Sequence, residues 1–254
     1  MELFVKNWKC IEEAKINLNT ITVLMGTNSS GKSSLAYAPY FLAKLMVYEI
    51  ITKDDILAIL SKHPFFANEL KDLVRKDESG IYYPLVIEVD GSRFEFNGHD
   101  IDYNINKIWN GVELLSSIRL GMYKLLISKD NSDGITDYNL IKKTIESAKD
   151  NSLIIIEEPE IHKHPILIVD LVKYLIKKAL KKNLTVVMTT HSDILFHALL
   201  KAVEIGDIEN SKVSVYYLIR NNENKWSKIK EIKIYDDGTF DVHPDIEVII
   251  SKLF

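Results

Sequence analysis

Glutamine does not occur anywhere in this chain, and cysteine occurs once, as Cys10, in 254 residues. A single thiol excludes a disulfide framework and fits a reducing compartment. A membrane-spanning helix is also missing: it needs roughly eighteen or more consecutive apolar residues. The most apolar runs, near Leu35–Ile51 and Leu153–Ile156, are interrupted or short. The opening residues, Met1-Glu2-Leu3-Phe4-Val5-Lys6, have no cationic stretch followed by an apolar core, so no secretory leader is expected. There is no excess of positive charge either. A formal net charge of -4 gives no global attraction to nucleic acid, although a local basic patch stays open. Repeats, coiled-coil heptads and low-complexity tracts are lacking. These absences leave a soluble, cytoplasmic protein with no membrane partner as the expectation. The 46% hydrophobic content is enough for a full core. The length suits one α/β domain, or one domain with a small inserted lobe.

Against that plain background, residues Gly26 to Ser34 stand out: Gly-Thr-Asn-Ser-Ser-Gly-Lys-Ser-Ser. They follow the apolar, β-branched run Ile21–Met25 and open a helical stretch from Leu35, which is the strand, Gly-rich turn and helix of a phosphate-binding loop. Gly26 and Gly31 permit backbone geometry that a Cβ would obstruct. The amides of Asn28, Ser29, Ser30, Gly31, Lys32, Ser33 and Ser34 can then converge on phosphate oxygens at a helix N-terminus. Lys32 adds a point charge for the β- and γ-phosphates, and Ser33 a hydroxyl for Mg²⁺. The competing reading is a bland Gly/Ser turn; spacing, both glycines and flanking structure all weigh against it. ATP and Mg²⁺ are therefore the expected ligands.

Along the rest of the chain, Leu3–Val5, Ala14–Leu18 and Thr20–Met25 read as strands and Ser34–Ile51 as a helix, with Pro39 in its early turns. Asp54–Leu60 and Asn68–Arg75 read as short amphipathic helices. Ile81–Val89 and Arg93–Phe96 form a hairpin across Asp90-Gly91-Ser92. Ile108–Ile127 is a strand followed by a helix, Ser128–Gly134 a loop, and Tyr138–Ala148 a helix. Buried strands Leu153–Ile156 and Leu184–Thr189 alternate with helices Ile166–Lys182 and Asp193–Val203, which argues for an α/β core with a parallel sheet. Val213–Ile219 and Ile229–Tyr235 make a terminal β-pair. One domain over 1–254 is expected, with an inserted helical and hairpin lobe over about 52–130.

The apolar strand Leu153–Ile156 ends in Glu157-Glu158-Pro159-Glu160-Ile161-His162-Lys163-His164-Pro165. Acids at the C-terminal edge of a parallel sheet sit where open α/β folds bind ligands. Glu157 is assigned to Mg²⁺ and Glu158 to the base that activates water; an acidic turn after a buried strand is the alternative. A third strand ends in Thr189-Thr190-His191-Ser192, where a neutral imidazole can contact the γ-phosphate or the attacking water. A helix-capping Ser/Thr cluster with a bystander histidine is its alternative.

Taken together, these three motifs resemble the ABC-type ATPase heads of the RecF, SMC and OLD-like group, most closely the small prokaryotic AAA-type ATPases. The resemblance runs from Asn7 to the terminal strands. It implies a P-loop NTPase with an ABC-ATPase-like mixed sheet, an N-terminal antiparallel β lobe and the helical/hairpin insertion. It also implies an ATP-dependent homodimer in which each subunit offers a Ser-x-Gly signature to the other's nucleotide. Asn131-Ser132-Asp133-Gly134-Ile135 is the candidate, with Ser132 donating a hydroxyl and Gly134 admitting the backbone; an Asp-Gly turn competes for the same residues. Arg119, in Leu115–Gly121, resembles an Arg-Gly motif of such ATPases but reads equally as a structural arginine. Asn7-Trp8-Lys9 resembles a segment near the nucleotide, which makes Lys9 a candidate for the α-phosphate and Trp8 a core residue. Such heads usually carry a glutamine after the P-loop helix that contacts Mg²⁺, and this chain has none. His162 and His164 are expected at the dimer interface rather than as a metal pair.

The resemblance implies a slow ATP-hydrolysing switch in DNA repair, DNA maintenance or defence against mobile elements, acting on DNA or through a separate effector protein. The alternative is an ATP-gated interaction module that does not hydrolyse; a transporter ATPase subunit is disfavoured. Lys173, Lys177, Lys178, Lys181 and Lys182 form a basic helix face, read either as a solvated surface or as a nucleic-acid contact.

Overall fold

The computed structural model describes residues 1–49, 52–116, 133–221 and 226–241. Strands β1 (Glu2–Trp8) and β2 (Ile11–Asn17) form an antiparallel ribbon in which Trp8 faces Ile11. Next comes β3 (Ile21–Gly26), buried over its whole length, which feeds α1 (Lys32–Tyr48). Most of α1 is buried, including Pro39 inside it. A helix apolar nearly all round must be covered on both sides, and α1 packs against strands of both sheets.

Helix α2 (Lys53–Leu60) starts at Thr52, whose side chain accepts from the Asp55 amide. The helix expected over Asn68–Arg75 is instead a single 3-10 turn, Leu70–Asp72. Val74 bridges to Trp8 and the Arg75 amide donates to Asn7, so pairing with the end of β1 takes the backbone groups that a helix would use. Strands β4 (Lys76–Asp77) and β5 (Gly80–Ile81) form a small ribbon. The expected hairpin is β6 (Leu85–Val89) and β7 (Ser92–Phe96), joined by Asp90 and Gly91, both at positive φ (42° and 81°). That is the two-residue turn whose twist matches its strands. With β8 (Ile101–Asn104), which the sequence pattern did not reveal, they complete a five-stranded antiparallel sheet of order β2-β1-β6-β7-β8. The span assigned to an inserted lobe thus gives three strands to the N-terminal sheet, and β9 (Gly111–Leu115) to the second sheet.

The second sheet takes β10 (Ser152–Glu157), β11 (Thr185–Thr190), β12 (Val213–Arg220), β13 (Ser227–Ile234) and β14 (Phe240–Asp241). Its order is β14-β13-β12-β3-β11-β10-β9. β12, β3, β11, β10 and β9 run parallel, while β13 and β14 are antiparallel additions. Helices α3 (Asp133–Ser147), α4 (Pro165–Lys182) and α5 (Asp193–Glu204) cover the face opposite α1. Period-two alternation divides the strand β10 between the two cores. Leu153 and Ile155 point into the layer with α1 and the N-terminal sheet, and Ile154 and Ile156 into the layer with α3, α4 and α5. Among the described residues no helix is long and apolar enough to cross a membrane.

Phe41 of α1 lies in edge contact with Phe65 (5.6 Å) and Phe94 of β7 (5.1 Å), so it ties the helix to the 52–109 span. Phe41→Ala is expected to cost about 3–5 kcal/mol, read as a lower urea midpoint with a single cooperative transition. A second, earlier transition would show that 52–109 unfolds as a separate lobe.

Candidate functional site

The parallel register decides which side chains meet. Glu157 stands opposite Thr189, and Thr190 opposite Met25, so β10, β11 and β3 end together at one sheet edge. The phosphate loop leaves that edge between Gly26 (φ 139°) and Gly31 (φ 96°), the left-handed N-cap of α1. Neither glycine has room for a side chain: a Cβ on Gly26 would lie 2.2 Å from the Leu218 carbonyl, and one on Gly31 2.4 Å from Ser227 Oγ and 2.8 Å from Cys10 Sγ. Asn28 and Ser29 form the exposed tip, and Arg220 Nη1 donates to the Ser29 carbonyl at 3.0 Å. Ser30 is fully buried beneath it, its hydroxyl without a protein partner.

Lys32 folds back over the loop and donates to the carbonyls of Gly26 (3.0 Å) and Thr27 (2.9 Å). Burial pushes its pKa down, while the charges of Glu158 and Glu160 push it back up. Of the two acids assigned from sequence, Glu158 is the one whose charge acts on the P-loop lysine; the other acid acting on it is Glu160. Glu158 adopts a left-handed backbone (φ 45°), its amide donating to the Thr189 carbonyl at 2.9 Å, and its carboxylate lies 3.4 Å from His191 Nε2. Both of those side chains are about one-third exposed (33% each), so water can reach the pair.

Pattern reading passed over one residue of α1, a helix that packs against β10. Tyr37 follows Ser33 by one helical turn, and its phenol is pushed up in pKa first by burial and then by Glu157, with which it interacts, as it does with Ser33. Lys9 stacks 5.8 Å from the centre of the Tyr37 ring; burial lowers its pKa, and Cys10 and Glu157 oppose that shift. Trp8 is fully buried, and its indole donates to the Ser34 carbonyl at 2.6 Å, so the core reading fits it. Glu160 is a second residue that the motif alone did not single out. Its Oε1 accepts from Thr190 Oγ1 and from the His191 amide, both at 2.8 Å, and so fixes where β11 hands over to His191. A signal was present in both cases: Tyr37 at i+4 from Ser33 and Glu160 in the acidic run.

The remaining expectations land elsewhere. Ser132, Asn131 and Arg119 lie outside the described residues. Gly134 sits at the start of α3, where an added Cβ would meet the His162 carbonyl at 2.2 Å. His162 Nδ1 lies 3.7 Å from Asp137 Oδ2, while His164 caps α4 by accepting from the Ile166 amide. Of the five lysines on α4, Lys182 donates to the Ile145, Glu146 and Ala148 carbonyls at the end of α3, and Lys178 pairs with Glu146. Lys173, Lys177 and Lys181 remain as an exposed stripe.

This donor set fits a nucleoside triphosphate with a hard cation. The loop offers amides, the Ser30 hydroxyl and the Lys32 ammonium to phosphate; Ser33 and Glu157 offer the oxygen ligands that Mg²⁺ prefers.

The comparisons with known proteins agree with that geometry. The family described as "AAA ATPase domain" matches residues 1–109 and 134–196. No curated protein matches the chain. The fold is similar to the SMC head domain from Thermotoga maritima (TM-score 0.52, 12% identity, covering 92% of this chain and 98% of that one). It is similar to a Smc head bound to the C-winged helix domain of ScpA (0.55, 11% identity, 91% and 97%). It is also similar to a Smc head with an extended coiled coil bound to the C-terminal domain of ScpA, derived from Pyrococcus furiosus (0.51, 8% identity, 99% and 98%). These likenesses establish the P-loop NTPase fold.

Two outcomes test the site. Gly31→Ala must strain a left-handed backbone and displace Ser227 and Cys10, so binding of a fluorescent ATP analogue is expected to fall at least tenfold, about 1.4 kcal/mol; unchanged affinity would contradict the cradle. Glu160→Ala frees the start of the His191 segment, and the expected result is a drop in kcat with ATP affinity kept within about threefold.

Proposed function

The chain belongs to the AAA ATPase domain family, and on that premise we propose that this ATPase is a switch in which two copies close around two ATP molecules. The observation that carries the reading is the convergence of Lys32, Glu158 and His191 at the edge where β3, β10 and β11 end.

Lys32 would leave the loop carbonyls for the β- and γ-phosphate oxygens, a stronger charge-assisted partner. Ser33 and Glu157 would hold Mg²⁺, which when bound neutralises phosphate charge. Glu158 would take a proton from the attacking water, with His191 beside it sensing the γ-phosphate. Lys9, close to Glu157, would approach the α-phosphate side of the nucleotide. The partner copy would complete the site with its Ser132–Gly134 segment. In this scheme ATP supplies the missing interface contacts, so the closed state depends on the γ-phosphate.

A polypeptide effector suits a head of this shape, since two of the similar Smc heads are bound to domains of ScpA. DNA repair, DNA maintenance or defence against mobile elements is the proposed setting. The exposed Lys173, Lys177 and Lys181, spaced at i, i+4 and i+8 on α4, are the proposed nucleic-acid contact.

Glu158→Gln removes the base while keeping the side chain's shape. Turnover is expected to fall about 10²–10⁴-fold, and light scattering with Mg-ATP should show a dimer that wild type forms only transiently. A wild-type hydrolysis rate in this variant would overturn the assignment, and a variant that stays monomeric with ATP bound would overturn the dimer.

A further inference from the structure

Strand β12 outruns its neighbour β3 at the edge where the phosphate loop begins. The register between them ends at Leu218 opposite Gly26, whereas β12 continues to Arg220. Past Gly26 the chain is no longer a strand but the loop, so the last two residues of β12 lie alongside the loop instead. There Arg220 Nη1 donates to the Ser29 carbonyl at 3.0 Å, at the exposed loop tip where Ser29 takes a left-handed φ of 59°. The strand that carries Arg220 is itself anchored. Arg220 pairs across the β12–β13 hairpin with Ser227, whose amide donates to the Cys10 carbonyl at 3.0 Å. Beside Ser227, the Arg75 guanidinium lies 3.9 Å from the centre of the Trp226 ring, and Arg75 is ion-paired with Glu12 of β2 at 3.0 Å. The hairpin is thus held by the N-terminal sheet while its own arginine holds the loop.

We propose that Arg220 is a positioning residue of the nucleotide site, tethering the tip of the phosphate loop so that the cradle is set before a triphosphate arrives. The inference rests on the reading of that loop as the nucleotide site. Lys32 also braces the loop, through the Gly26 and Thr27 carbonyls, but those bonds would be given up as its ammonium turns to phosphate. The bond from Arg220 is of another kind. It comes from outside the loop and engages a carbonyl, an acceptor that cannot serve an anion, so it can persist with ligand bound. It has two effects there. A residue with a Cβ stays in the left-handed region only when its surroundings hold it there, and a charged donor on its carbonyl does so. The same donor takes up the Ser29 carbonyl oxygen, whose partial negative charge would otherwise oppose an incoming phosphate. A loop fixed in its binding shape in advance binds more tightly, because ordering it no longer costs affinity.

Arg220 is exposed at the end of a strand that pairs through its backbone, so Arg220→Ala keeps the fold. The experiment compares the full chain as wild type, Arg220→Ala, Arg220→Lys and Lys32→Ala. Hydrogen exchange of the loop amides, residues 26–34, is followed without nucleotide; binding of a fluorescent ATP analogue and turnover are measured with Mg²⁺. In Arg220→Ala the loop amides are expected to exchange faster before any nucleotide is added. The analogue should bind about three- to tenfold more weakly, while kcat at saturating ATP stays at the wild-type value. Arg220→Lys, which keeps one charged donor, is expected to recover most of the affinity. Wild-type exchange and affinity in Arg220→Ala, with binding lost in Lys32→Ala, would sink this inference alone. Weaker binding with unchanged exchange would place Arg220 on the nucleotide rather than on the loop, and would overturn the proposal too. If Lys32→Ala binds as tightly as wild type, the reading of the loop as a nucleotide site fails and this inference falls with it.

Discussion

Everything at the site depends on keeping one ammonium, that of Lys32, buried at the edge of a sheet without losing its hydration energy uncompensated. An unpaired charge there would cost several kcal/mol or would simply be neutralised. The chain's answer is local. The Gly26 and Thr27 carbonyls turn inward to accept from Nζ, which they can do because Gly26 tolerates a φ of 139° where the loop leaves β3. Glu158 and Glu160 then supply opposite charge from just past the end of β10, two strands along the sheet. The same turn sets the loop at the N-terminus of α1, so solving the burial problem of one lysine and placing the loop at a helix N-terminus are the same structural act.

Sheet order turns that local solution into a site. β3 lies between β11 and β12, and β11 lies beside β10, although β3 precedes the other three by more than a hundred residues in sequence. Parallel pairing forces their C-terminal ends to the same edge, so residues that close each strand must meet whatever their separation. The contact of Gly26 with the Leu218 carbonyl of β12 is part of this, since the loop can leave the sheet only where the neighbouring strand allows close approach. A tight fold on both sides of α1 keeps Ser33 and Tyr37 from turning away.

The sequence revealed most of this where a motif coincides with a strand end. The phosphate loop, Glu157, Glu158 and His191 could be placed together because each follows a short, β-branched apolar run that reads as a buried strand reaching an edge. The hairpin at Asp90-Gly91 was legible for a comparable reason, as its turn residues tolerate positive φ. Tyr37 was not, because a tyrosine in an apolar helix reads as core, and only the i+4 relation to Ser33 joined to the packing of α1 on β10 turns its hydroxyl into a feature. Asn68–Arg75 carried a helical pattern that lost to long-range pairing of Val74 with Trp8. The lysines of α4 looked like one basic face, yet Lys182 is drawn inward by three orphan carbonyls at the end of α3, a demand that no local pattern encodes.

Charge balance also bears on how the nucleotide and metal of the proposed function would share this edge. Glu157, Glu158 and Glu160 bring three carboxylates, against which the chain sets the ammoniums of Lys9 and Lys32. A triphosphate arriving alone would add several negative charges beside acids only a few ångströms away, where screening by water is weak. A cation held there would ease the conflict from both directions, neutralising phosphate oxygens and giving Glu157 a partner other than Lys9. Without the nucleotide, the Lys9 ammonium rests 5.8 Å from the centre of the Tyr37 ring and 5.9 Å from that of Phe65. In the proposed function, acids that would repel a triphosphate by themselves would tie its binding to the metal.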